Sequence, residues 1–141
     1  MSFVLDNSAT LAFLLPDEIR PEYEDMIARI VREGAVAPGL WQVEITQTLT
    51  TAMRRGRITA AQRAGMLADL MTLPIVVETT AIDWRRLIAV ADQWNLTAYD
   101  AAYLEMAARR MLPLATLDRE LREAAQGLHV PLLPEAVPDS E

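Results

Sequence analysis

The sequence contains no cysteine. Disulfides, thiolate metal sites and a cysteine nucleophile are thereby excluded, and a reducing compartment suits such a chain. It also contains no lysine: all 13 bases are arginine. There is a single histidine, His129, placed just before the strand-like run VPLL. It reads as structural. Ser8 and Thr116 have no base nearby in sequence, so a Ser/His/Asp triad is not expected. No glycine-rich phosphate loop of the P-loop or dinucleotide type occurs. No apolar run reaches roughly 18 residues, which excludes a membrane-spanning helix of ordinary length. The N-terminus lacks the basic start of a secretory leader, so a cytoplasmic protein is expected.

What is present is 141 residues with a net charge of −7. That length suits one domain, expected over 1–134, with 135–141 as a loose C-terminal tail. It is enough to bury a core without a staple. The acidity argues against a broad nucleic-acid surface, though not against a local one. Arginines pair at Arg54-Arg55 (with Arg57), Arg85-Arg86 and Arg109-Arg110. Arginine suits bidentate phosphate contacts, while the alternative for each pair is a solvated helix end. The hydrophobic fraction of 52% is high for a small monomer. A partner covering part of that surface is expected, with a homodimer as the simplest case.

Along the chain, short apolar runs alternate with helical stripes. FVL reads as a strand, and 8–14 as a short helix ended by Pro16. Pro21 suits a helix start, and Tyr23, Ile27, Ile30 and Val31 trace a stripe ending near Arg32 and Gly34. AVA reads as a second strand. A long helix runs from Leu40 to Arg55, with Gly56 closing it. Thr59 to Gln62 is a capping box that opens a helix to about Met71. PIVVE reads as a third strand. Thr80, Ile82, Leu87, Ile88, Ala91 and Trp94 trace one helix face. Thr97 to Asp100 opens a helix to Arg110, LPLAT is a fourth strand, 119–125 a helix and HVPLL a fifth strand. Methionines 53, 66, 71, 106 and 111 sit at core spacings. Strands alternating with helices predict an α/β fold, a parallel sheet with helices on both faces. In such sheets ligands bind beyond the carboxyl ends of the strands.

Asp6 closes the run FVLD and Asp118 closes LATLD, two acids at strand ends. Glu44 lies in LWQVEITQTL and Asp100 in LTAYDAAYLEMA, both at positions where apolar neighbours predict core. A buried carboxylate is costly without a partner, and several together are worse unless a cation holds them. Oxygen-only ligands suit Mg²⁺ or Mn²⁺. Such ions can activate water against a phosphodiester. Taken singly, each acid has a plainer reading. Asp6 and Asp118 could cap the helices that follow them, Asp100 could be the third residue of its capping box, and Glu44 could face solvent. The four together are hard to explain as caps.

These residues resemble the PIN-domain ribonucleases, and among them the VapC toxins of bacterial toxin–antitoxin pairs. The resemblance covers almost the whole chain. It rests on VLDNSATLAFLLPDE, LWQVEITQTLTTAMRRGRI and LTAYDAAYLEMAARRMLPLATLD, and on the order Asp6, Glu44, Asp100, Asp118. It implies a PIN-like three-layer α/β/α fold and a metal-dependent endoribonuclease inhibited by a cognate VapB-type antitoxin. Asp6, Asp100 and Asp118 match metal-binding acids of the family, Glu44 its fourth acidic position, and Thr116 a hydroxyl position that supports the site. Asp6 and Asp100 would hold Mg²⁺ or Mn²⁺ with help from Asp118, and Glu44 would bind a second ion or orient the attacking water. Gln47 departs from the asparagine that many members carry there. RNA would be gripped by Arg54, Arg55 and Arg57, about 15 Å along the helix from Glu44. Rival readings are a catalytically silent PIN-fold binding module, a metal-dependent phosphatase and a phosphoacceptor receiver domain. The last expects a lysine beside the acids, and there is none.

Overall fold

Five short apolar runs form one parallel sheet, in a computed structural model that describes residues 1–16, 20 and 25–136. The strands are β1 (Phe3–Leu5), β2 (Ala35–Pro38), β3 (Ile75–Glu78), β4 (Leu114–Ala115) and β5 (Leu132–Leu133), in the order β3-β2-β1-β4-β5. Phe3 pairs with Ala35 and Val4 with Leu114, so β1 is enclosed on both edges. All three of its side chains are fully buried. That is why FVL has no polar alternation: a parallel strand covered on both faces has no solvent side.

The chain steps outward from β1 to β3, then returns across the sheet to β4 and β5. Right-handed crossovers therefore place the helices before β3 and those after it on opposite faces. The helices are α1 (Asn7–Leu14), α2 (Met26–Glu33), α3 (Leu40–Arg54), α4 (Ala60–Thr72), α5 (Trp84–Trp94), α6 (Ala98–Arg110) and α7 (Arg119–Gly127). In this three-layer α/β/α arrangement α6 lies across β1, β2 and β4 with α5 and α7 beside it, while α1 packs on α3 and α3 on α4. The Trp41 indole N–H donates to the buried Thr10 hydroxyl at 2.9 Å, which ties α3 to α1. At the rear, Gly127 lets α7 reach the Trp94 ring so closely that an added Cβ would collide with it.

The predicted punctuation holds at several points. Thr59 and Gln62 form the full capping box of α4. Thr97 accepts from the Asp100 amide at the start of α6. Gly34 and Gly56 take positive φ at the ends of α2 and α3, where a side chain would strain the turn.

Other expectations need correcting. Met26 and Ile30 are the buried pair of α2, one turn apart, so Ile27 and Val31 point about 100° away and are exposed. The Asp83 carboxylate accepts from the Arg85 amide and starts α5 there, so Thr80 and Ile82 precede the helix. Val90 and Trp94 pack against the core and Leu87 is half-buried, while Ile88 is exposed. Met106 is buried, but Met71 in the last turn of α4 and Met111, the left-handed cap after α6, are exposed. Pro21 and Tyr23 lie outside the described residues, as do 137–141 of the expected tail.

Candidate active site

The strand order reverses at β1 and β4. Chain leaving β1 goes to one side of the sheet and chain leaving β4 to the other, and the carboxyl ends of such a strand pair are where open α/β sheets bind their ligands. Asp6 stands at the end of β1, and its amide still bonds the Ala115 carbonyl at 3.1 Å. The ladder therefore fixes its backbone. Its carboxylate is almost wholly buried, at 4% exposure. Oδ1 accepts from the Ala9 amide at 2.8 Å, so Asp6 does cap α1, as the plainer reading expected. The Ser8 hydroxyl donates to the same carboxylate at 2.8 Å and accepts from the Leu117 amide at 2.8 Å. Its oxygen also lies 3.3 Å from the Thr116 hydroxyl. Ser8 is thus a clasp between the ends of β1 and β4. Thr116, fully buried, accepts in turn from the Asp118 amide at 3.1 Å.

Asp118 caps α7, accepting from the Leu121 amide at 2.9 Å. Asp100 sits in the first turn of α6, half-buried. Glu44 lies on α3, also half-buried, and receives a 2.6 Å hydrogen bond from the Tyr103 hydroxyl. Arg122 braces the Asp118 loop from behind, donating to the carbonyls of Thr116 and Pro134.

The charges of these acids act on one another. Burial pushes the Asp6 carboxyl up to about 7, against the Ala9 amide and the Thr116 and Ser8 hydroxyls, and the charge of Asp100 adds to the rise. Asp100 is pushed up to about 6 by burial, then by Asp118, Glu44 and Glu120. Carboxyls that burial and neighbouring acids hold above their ordinary range, on oxygen donors alone, fit a hard divalent cation. Among the described residues no three acids stand as a finished ligand set.

Three participants escaped the sequence reading: Ser8 as a clasp, Tyr103 as a donor to Glu44, and Glu120 as a fifth acid beside Asp100. The spacings were visible, two residues after Asp6, three after Asp100 and two after Asp118. Gln47 is exposed and donates to Thr51 on its own helix at 3.3 Å.

The arginine pairs differ in their commitments. Arg109 grips Glu78 at 2.8 Å and Glu105 at 2.9 Å, Arg110 stands 4.0 Å from Glu78, and Arg86 is 3.7 Å from Asp83. Arg54, Arg55 and Arg57 are exposed at and beyond the end of α3, and Arg57 has an interaction of its own within the protein.

The family described as PIN domain matches residues 3–127, a span holding all four acids. Ribonuclease VapC3 of Pyrobaculum aerophilum is 29% identical over 133 residues, covering 93% of this chain and 100% of that protein. The crystal structure of PAE2754 from Pyrobaculum aerophilum resembles this fold with a TM-score of 0.70 at 27% identity, over 90% of each chain.

Proposed function

The chain belongs to the PIN-domain family, and from that premise we propose that it is a metal-dependent endoribonuclease that hydrolyses phosphodiester bonds in RNA, as the toxin of a VapBC-type pair. The observation that carries the reading is that Asp6 at the switch point feels the charge of Asp100, and Asp100 in turn feels Asp118 and Glu44, so that Asp6 and Asp100 are held above the ordinary carboxyl range. The resemblance to a named ribonuclease along nearly the whole chain supports the substrate class.

Asp6, Asp100 and Asp118 would hold Mg²⁺ or Mn²⁺, and Glu44 would serve a second ion or the attacking water. When bound, such an ion supplies positive charge to the phosphate and acidifies its water. The chain's own part is orientation. Ser8 and the Ala9 amide hold Asp6 in one direction, and Thr116 with the Leu121 amide does so for Asp118. Without a cation the pocket repels phosphate, so RNA would be held by arginine, and Arg54, Arg55 and Arg57, at the far end of α3 from Glu44, are the candidates. The partners are an RNA strand, a VapB-type antitoxin and a second copy of the chain, in the cytoplasm.

The test is incubation with an RNA oligonucleotide and with a small phosphate ester, each with Mg²⁺, with Mn²⁺ and with chelator. Internal RNA cleavage that needs the ion and is lost in Asp100→Asn is the expected result. Cleavage of the ester alone would replace the reading with a phosphatase. Metal-independent cleavage would overturn the role of the acids.

A further inference from the structure

We propose that Tyr103 is the positioning residue for Glu44: its hydroxyl holds Oε1 of the carboxylate from within the core, and so fixes how Oε2 is presented to an ion or a water. The inference rests on the functional reading above and deepens it. Tyr103 follows Asp100 by three residues on α6, so the two side chains share a helix face. Asp100 reaches the site, whereas Tyr103 is buried, at 2% exposure. Its hydroxyl meets Glu44 at 2.6 Å, across 59 residues of sequence. The bond thereby links α6 to α3, helices from opposite faces of the sheet.

Packing does not account for the hydroxyl, since phenylalanine would fill the same space. A buried hydroxyl costs stability unless it finds a partner, and here the partner is an acid of the site. A short O–H···O⁻ bond is strong and directional. Glu44 needs that direction, because a glutamate side chain loses much rotamer freedom when it is fixed. Groups that orient a ligating side chain typically change metal affinity by 10–100-fold when removed.

The experiment compares the parent protein with Tyr103→Phe, Glu44→Gln and the double variant. It measures Mn²⁺ affinity by calorimetry, the urea midpoint, and kcat and KM for an RNA oligonucleotide. Expected for Tyr103→Phe is Mn²⁺ binding weakened about tenfold or more, a comparable loss in kcat, an unchanged KM, and no further loss when Glu44→Gln is already present. A lowered urea midpoint with parental Mn²⁺ affinity and kcat would make Tyr103 a packing residue and overturn the proposal. So would losses that simply multiply in the double variant. If the parent itself binds no Mn²⁺ and cuts no RNA, the functional reading falls and takes this one with it. If the parent does both and Tyr103→Phe matches it, only this inference falls.

Discussion

The metal-free protein should lose stability as pH rises, and Asp6 should be the main cause. Its carboxyl is held up to about 7 in the folded chain, against 3.8 for a free one. Below the lower value both states carry the proton and folding incurs no penalty. Between the two values the unfolded chain ionises first, and above about 7 the folded chain carries a buried charge. Stability is therefore fully present at low pH and lost as pH climbs through the folded value. At 1.36 kcal/mol per tenfold change in proton affinity, the full loss is on the order of 4 kcal/mol. About half of it, roughly 2 kcal/mol, falls between roughly pH 5.5 and roughly pH 8.5. With a slope near 2 kcal/mol/M, that lowers the urea midpoint by about 1 M. Asp6→Asn keeps an oxygen for the Ala9 amide but cannot ionise, so its midpoint should change much less over the same range. Mg²⁺ or Mn²⁺ should raise the parent's midpoint more at the higher pH, where protons no longer compete for the acids. The measurement is urea unfolding with chelator, then with metal, at both pH values. A parent midpoint that does not move with pH, or that moves equally in Asp6→Asn, would refute the reasoning.

Other outcomes follow from single interactions. Ser8→Ala leaves the Leu117 amide without its acceptor and strips a donor from Asp6, so unfolding free energy should drop by about 1–3 kcal/mol and activity should fall with it; an unchanged midpoint would remove the clasp. Gly127→Ala should destabilise by about 1–3 kcal/mol through overpacking against Trp94, although helix propensity alone favours alanine by about 1 kcal/mol; the sign of the change in thermal midpoint decides between the two. Arg54→Ala with Arg55→Ala should weaken RNA binding at low salt and flatten its salt dependence by about 0.7 for each phosphate no longer neutralised, with Mn²⁺ affinity intact. A parental salt slope would move the grip elsewhere, and Arg109 is a poor substitute because Glu78 and Glu105 already occupy it.

Much of the architecture was legible because strands buried on both faces leave no polar alternation, and caps leave their residues in order. FVL, the Thr59 box and the acids at the strand ends all spoke directly. The helix rims did not. An apolar stripe shows that one face is favoured, but not how much of it a neighbour covers, and so Ile27, Val31 and Ile88 were placed inward. The cap and cluster readings of Asp6 and Asp118 looked like rivals in sequence; each side chain has two oxygens and in the structure serves as a cap while standing beyond the carboxyl end of a strand. Tyr103 was hidden for the opposite reason. Its ring is core by every apolar measure, and one oxygen atom at the ring's far end makes the bond that matters.

The clasp made by Ser8 joins residues 109 positions apart. During synthesis the first acid is made long before its companion: at ordinary translation speeds the interval between Asp6 and Asp118 is on the order of ten seconds. Through most of it the nascent chain carries Asp6 and Glu44 but lacks the β4 edge against which the first is locked. The order of the acids along the chain thus makes the pairing of β4 with β1 the step that brings the two strand-end carboxylates, Asp6 and Asp118, into one neighbourhood.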